Sequence, residues 1–237
     1  MPLPVDAHAT TTARTMPARS EPAGMVMAEA LGSGLLVMTI IGSGIAADRA
    51  FPASPGFALL VNAIATGAAL TALIAAFGHV SAAFNPLVTL LARTQRHLST
   101  WQTIAAVGAQ LVGAGLGVIA ANAMFALPPL TLASTDRATG ATSLSETIAT
   151  LGLLLIVVLS GCSGDPIRVG VAVGGYITAA MWFTSSTAFA NPAVTLARIG
   201  TDTFTGIAPD SASVFLAAQV LALPIAYLLV RLIRSNP

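Results

Sequence analysis

Residues 85–90 read Asn-Pro-Leu-Val-Thr-Leu, and residues 191–196 read Asn-Pro-Ala-Val-Thr-Leu. Five of the six positions are identical, and 106 residues separate the two asparagines in a chain of 237. A repeat at about half the chain length indicates two similar halves, because internal repeats correspond to repeated structural units. We assign residues 25–130 to the first repeat and residues 131–237 to the second.

Each copy of the motif predicts the start of a short helix. Asparagine is a favoured N-cap, and a proline at the first helical position has no N–H group to leave unpaired. The apolar stretches that follow are brief, so we predict half-helices over 85–95 and 191–199. A helix of about nine residues is roughly 14 Å long, which is about half of the ~30 Å hydrocarbon core of a bilayer.

The composition is that of a membrane protein. Hydrophobic residues make up 55% of the chain and charged residues 8%, whereas soluble domains carry about 25% charged residues. The net charge of +1 comes with no basic patch, which argues against a nucleic-acid partner. The expected partner is the lipid bilayer. The chain has a single cysteine, so it cannot form a disulfide within itself.

Six apolar segments are close to the ~20 residues that a membrane-spanning helix needs. They cover residues 25–47, 56–77, 102–126, 145–162, 168–184 and 212–233. One half-helix follows the second span and the other follows the fifth, so each repeat holds three spans and a half-helix. An odd number of spans inverts the second repeat relative to the first. The prediction is an all-α membrane protein with six transmembrane helices and two re-entrant half-helices.

The arginines predict how the chain is oriented. Seven of the ten arginines fall on the side that holds both termini, and three fall on the other. Because cytoplasmic loops are enriched in Lys and Arg, we expect both termini in the cytoplasm and the spans in the plasma (inner) membrane. Residues 1–24 have no apolar periodicity, and we interpret them as a disordered cytoplasmic tail.

The paired Asn-Pro motifs resemble those of the aquaporin (major intrinsic protein) family, and the resemblance covers roughly residues 25–234. It implies a homotetrameric, passive channel for small neutral solutes, without a cofactor or metal. It also implies that the two motifs meet at the middle of the membrane. The residues that it places at this midplane are Asn85, Pro86, Leu87, Asn191, Pro192 and Ala193.

The resemblance also implies a selectivity filter at Thr66, Ala179, Ala188 and Val194. The family has an arginine three residues after the second asparagine, where this chain has Val194. All four side chains are small or apolar, so we expect a wide, uncharged filter. The pattern is similar to that of the bacterial metalloid-conducting branch, which implies solutes such as glycerol and arsenous acid. We interpret Arg198, at the end of the second half-helix, as an anchor at the membrane interface.

Several polar residues lie within or beside the predicted spans. Carboxylates inside a membrane are rare, and the resemblance implies that Glu29 and Glu146 accept hydrogen bonds from the backbone of the re-entrant segments. It places His79 along the pore. We interpret Gln110 and Gln219, at equivalent places in the third and sixth spans, as partners in hydrogen bonds between helices.

Two other functions remain open from the residues. Inverted repeats with broken helices also occur in secondary transporters, and a general water channel needs no metalloid role. An enzyme is not expected, because the sequence contains no nucleophile–base pairing and no metal-ligand spacing.

Overall fold

Helices account for all the regular structure in residues 22–235, the part of the chain that the computed structural model describes. Eight α-helices occur there, and a 3-10 turn at Arg198–Gly200 follows the seventh. They are α1 (Pro22–Ala50), α2 (Pro55–Phe77), α3 (Pro86–Thr94), α4 (Thr100–Met124), α5 (Gly140–Gly161), α6 (Pro166–Phe183), α7 (Pro192–Ala197) and α8 (Pro209–Ser235). The six long helices and the two short ones confirm the predicted fold class.

The predicted first residues of two helices, α1 and α5, lie too late in the sequence. Helix α1 begins at Pro22 and not at residue 25, and residues 1–21, to which most of the predicted tail belongs, lie outside the described part. Helix α5 begins at Gly140 because Thr139 and Thr142 form a capping box. The Thr142 backbone N–H donates to Thr139 Oγ1 over 3.1 Å, and the Thr139 N–H donates to Thr142 Oγ1 over 2.8 Å. The capping box therefore starts the helix within a polar stretch, before the apolar segment from which the span was predicted.

Five helices of the described chain are both long and apolar enough to cross a membrane, namely α1, α2, α4, α5 and α8. The sixth long helix, α6, has 18 residues, which corresponds to about 27 Å at 1.5 Å per residue. It packs along α2 over much of its length. It therefore completes the set of six predicted spans.

Small residues allow the long helices to approach each other closely. A Cβ atom on Gly113 of α4 would clash with the carbonyl oxygen of Ala30 in α1, and one on Gly174 of α6 would clash with that of Gly67 in α2. Such contacts are typical of membrane helices, whose association depends on van der Waals packing of backbones. The α1–α4 and α2–α6 pairs are accordingly the most extensive in the fold.

The chain runs back and forth between two ends of the bundle. We call the end where the described chain starts and finishes the terminal side, and the opposite end the far side. On the terminal side, Arg234 Nη1 donates to Gln95 Oε1 over 3.3 Å. On the far side, Arg49 Nη2 donates to the Phe125 carbonyl over 3.1 Å. Helix α3 returns from the middle to the terminal side and α7 to the far side, so their N-termini meet inside the bundle.

Candidate pore

Each short helix is capped by its own asparagine. Asn85 Oδ1 accepts from the backbone N–H of Leu87 over 2.9 Å. Asn191 Oδ1 accepts from the N–H of Ala193 over 3.0 Å. Because each asparagine has extended backbone angles and a proline follows it, both helices begin as the motif predicts.

The side-chain amides of the two asparagines cross between the repeats. Asn85 Nδ2 donates to the Ala190 carbonyl over 2.8 Å, and Asn191 Nδ2 donates to the Phe84 carbonyl over 2.7 Å. An amide nitrogen carries two hydrogens, and within the described residues each of these makes only the one bond. Both asparagines line the central cavity, so one N–H of each amide remains for a molecule in the lumen.

The residues just before the asparagines have left-handed backbone angles. Phe84 has φ 47° and Ala190 has φ 50°, values that are uncommon for residues other than glycine. These same residues supply the two carbonyl oxygens that accept the crossing bonds. Such conformations persist where the surroundings hold them, and two buried carboxylates do so here.

Glu29 of α1 holds the first re-entrant segment. Its Oε1 accepts from the Ala83 N–H over 2.9 Å and from the Ser81 hydroxyl, and its Oε2 accepts from the Phe84 N–H over 2.8 Å. Gln110 of α4 also donates to Glu29 Oε2 over 2.8 Å. The carboxylate therefore satisfies backbone donors that would otherwise be unpaired inside the membrane.

Glu146 of α5 repeats this arrangement in the second half. It accepts from the N–H groups of Phe189, over 3.2 Å, and Ala190, and from Gln219 Nε2 over 2.9 Å. Gln219 also donates to Thr195 Oγ1 over 2.8 Å, just as Gln110 donates to Thr89 Oγ1 over 2.8 Å. Each glutamine thus links a long helix, a carboxylate and a half-helix.

A cavity of about 70 Å³ runs beside the crossed asparagines. Apolar side chains from four long helices form most of its wall, and α2 adds one hydroxyl. These residues are Leu36 and Ile40 of α1, Thr66, Leu70 and Ile74 of α2, Leu153 and Val157 of α5, and Val169, Val173, Ile177 and Met181 of α6.

The re-entrant segments provide the polar part of the wall. Ala82, Ala83, Ala188 and Phe189 line the cavity, and within residues 22–235 their carbonyl oxygens accept no hydrogen bond. Backbone that is not helical survives at membrane depth only beside a lumen or under protein cover. These carbonyls are therefore available to a solute that donates hydrogen bonds.

Three of the four expected filter residues line the cavity, and one does not. Thr66, Ala188 and Val194 contribute to the wall. Ala179 is exposed on the outside of α6, so its assignment to the filter was wrong. The lining residues of α6 recur every four positions, which is one face of a helix, and a residue two positions from Ile177 points away from that face.

One further expectation about the lumen is wrong, and the structure also shows what Leu87 does. His79 lies in the turn after α2, is exposed and does not line the cavity, because the lining face of α2 ends at Ile74. Leu87, which replaces an alanine in the first motif, is 1% exposed and packs against Leu91, Leu154 and Ala226. Its larger side chain fills the core beside the pore and does not narrow the lumen. Pro86, Pro192 and Ala193 also lie off the lumen.

Arg198 is not an interface anchor. It is 5% exposed and lines the cavity, one helical turn beyond Val194. Its Nε donates to the Thr205 carbonyl, and its guanidinium carbon lies 3.4 Å from the centroid of the Phe189 ring. The expectation of an uncharged filter region was therefore wrong, because an arginine forms part of the cavity wall in its far half.

A second guanidinium supports the same segment from outside the lumen. Arg137 donates to the carbonyls of Gly206, over 2.7 Å, and Phe204, over 2.8 Å. Next to it, a hydrogen bond from the Ser211 hydroxyl lowers the pKa of the Asp136 carboxyl from its usual value. Within residues 22–235 neither Arg137 nor Arg198 forms an ion pair with a carboxylate.

Sequence reasoning missed Ile177, Met181 and Arg198 as lining residues. A signal existed for each: Val169, Val173, Ile177 and Met181 recur at a spacing of four, and Arg198 follows Val194 by four. The spacing alone does not say which face of a helix looks at the lumen. In α6 both faces are apolar, so the choice depends on how the helices pack.

Comparisons with known proteins agree with this geometry. The family model described as "Major intrinsic protein" matches residues 18–161. The aquaglyceroporin AqpS of Rhizobium meliloti (strain 1021) is 46% identical over 206 residues, which are 86% of this chain and 88% of that relative. With the crossed asparagines and the all-α fold, these matches show that the chain belongs to the major intrinsic protein family, whose members are membrane channels and not enzymes.

Proposed function

We propose that this channel conducts small neutral polyols such as glycerol, together with water and arsenous acid. The observation that carries the proposal is the pair of crossed asparagines in a lumen with mostly apolar walls. A neutral solute finds one amide N–H of each asparagine and the free carbonyls of the re-entrant segments. An ion would lose its hydration against apolar side chains, and that loss is costly unless it is compensated.

The small side chains around Val194 support solutes larger than water. Three positions in the wall of the far half carry short side chains, namely Thr66, Ala188 and Val194. The similarity to a protein named aquaglyceroporin supports glycerol as a solute. Arsenous acid is proposed from the resemblance of the motif region to metalloid channels, and because it is a small neutral molecule with several hydroxyl groups.

The direct test is solute flux into proteoliposomes. We expect stopped-flow light scattering to show permeability to water, glycerol and arsenous acid above that of empty liposomes. A channel gives a low activation energy for this flux, whereas a secondary transporter that alternates between two states gives a high one. Flux equal to that of empty liposomes for all three solutes would refute the proposal.

We also propose that both termini face the cytoplasm and that the channel is a homotetramer in the plasma membrane. The orientation is supported by the arginines of the terminal side, which are Arg93, Arg96, Arg168, Arg231 and Arg234 among the described residues. The tetramer is supported only by the family resemblance. Native mass spectrometry of the purified channel tests it, and a monomer or dimer would contradict it.

A further inference from the structure

Arg198 has hydrogen-bonding capacity that the protein does not use. A guanidinium has five N–H donors, and within residues 22–235 Arg198 uses only its Nε, toward the Thr205 carbonyl. The two Nη groups have no partner there. The residue is only 5% exposed and belongs to the wall of the cavity, and its guanidinium lies over the ring of Phe189, which is also part of that wall.

The charge of Arg198 is poorly compensated. Glu146 forms no ion pair with Arg198 within residues 22–235, and it is already bound by the N–H groups of Phe189 and Ala190 and by Gln219. Arg137 adds a second positive charge on the other side of the segment, 5.7 Å from the Phe189 ring centroid. The contacts of Arg198 are the Thr205 carbonyl and the face of the Phe189 ring, and both of these groups are neutral. A buried charge that lacks an opposite charge is unfavourable, and an arginine cannot escape by losing its proton.

The surroundings of Arg198 are suited to a small ligand. The Thr66 hydroxyl, on a residue that is 3% exposed, lines the same cavity and has no partner among the described residues. Val194 and Met181 complete this half of the wall with apolar surface. On the terminal side of the asparagines, the lining side chains include no charged group in the described chain.

We propose that the far half of the lumen is a binding site for a small monovalent anion, held by the Nη groups of Arg198. Chloride, nitrate and formate are small enough and accept hydrogen bonds from a guanidinium. The bound anion occupies the path of neutral solutes and so inhibits their flux. It does not pass through, because the terminal half offers only apolar side chains and carbonyl oxygens, and neither can replace the hydration of an anion.

The test compares glycerol flux in different salts. Proteoliposomes are prepared in gluconate, which is too large for the lumen, and chloride, nitrate or formate replaces it at constant osmolarity and ionic strength on both sides. We expect glycerol permeability to fall, by about twofold when the anion concentration equals its Kd. Permeability that does not depend on the anion would overturn the proposal.

Variants locate the site. Arg198→Gln should remove the dependence on the anion, whereas Arg198→Lys, which keeps a charge, should retain it. Arg137→Gln is the matched control, since Arg137 supports the same segment and faces the same ring but does not line the cavity. An anion dependence that survives in Arg198→Gln, or is lost in Arg137→Gln alone, would place the site elsewhere.

A second test uses only the wild-type protein, so its result does not depend on whether a variant folds. The chloride-35 NMR line of the detergent-solubilised channel should be broader than that of empty micelles, and nitrate should narrow it again. No excess broadening would overturn the proposal. Flux in gluconate tests the channel itself, so a failure of the anion site can be distinguished from a failure of the proposed transport.

Discussion

Asn85 and Asn191 each bond to the strained residue that precedes the other. Asn85 donates to the carbonyl of Ala190 and Asn191 to that of Phe84, over 2.8 and 2.7 Å. The two asparagines therefore tie the repeats together and at the same time present the free N–H of each amide to the lumen. We therefore expect substitutions of these asparagines to affect both the stability of the protein and its flux.

Asn191→Asp should lower the thermal stability of the channel and let protons leak through it. A carboxylate cannot donate to the Phe84 carbonyl, and it places a negative charge in the lumen. An unsatisfied buried group costs about 1–3 kcal/mol, so we expect a lower melting temperature and a measurable proton leak with a pH-sensitive dye. Asn122→Asp is the control, since Asn122 is also buried but does not line the cavity. A similar leak in both variants would contradict the role of Asn191.

Val194→Arg should reduce glycerol flux more than water flux. The new side chain would narrow the far half of the lumen and bring a second positive charge within one turn of Arg198. We expect a loss of about tenfold for glycerol, which corresponds to about 1.4 kcal/mol in the barrier. Stopped-flow measurements of both solutes check this. Equal losses of water and glycerol flux would count against Val194 as a determinant of solute size.

A pair of tryptophan substitutions in α6 tests which face of this helix lines the pore. Met181→Trp should block flux of every solute, because residue 181 lies on the lining face. Ala179→Trp should leave flux unchanged, because residue 179 is exposed on the outside of the helix. Flux is normalised to the folded protein in each preparation. Block by Ala179→Trp with normal flux in Met181→Trp would reverse the assignment.

The two buried glutamates should be equally important for stability. Glu29→Gln replaces one acceptor oxygen by an NH₂ group that faces N–H donors, and Glu146→Gln does the same in the other repeat. Hydrogen bonds to charged groups contribute about 1.5–3 kcal/mol, so each variant should melt at a clearly lower temperature in detergent. Asp48→Asn, at an exposed carboxylate near the end of α1, should melt like the wild type.

Cys162 offers a test of orientation. It is the single cysteine of the chain, it is exposed, and it follows α5 on the terminal side. If this side is cytoplasmic, a membrane-impermeant maleimide should label inside-out vesicles and not intact spheroplasts. Thr135→Cys in a Cys162→Ser background places the thiol in an exposed segment of the far side and should give the opposite pattern. Labelling of Cys162 in intact spheroplasts would contradict the proposed topology.

Local patterns explain which features were predictable. Apolar segments of about 20 residues predict spans wherever they occur, since a bilayer demands them. The Asn-Pro starts predict the half-helices because capping depends only on neighbouring residues. Where start signals were polar, as at Thr139, the apolar pattern placed the helix too late.

The sequence by itself determined the repeat, the number of helices, the two capped half-helices and the pair of buried carboxylates. Only the tertiary structure decided which face of α6 meets the lumen, that Ala179 and His79 lie outside it, that Leu87 fills the core, and that Arg198 belongs to the cavity wall. The reason is physical: helix formation and capping are local, whereas the direction of a side chain relative to a lumen depends on how α1, α2, α5, α6 and the re-entrant segments pack together.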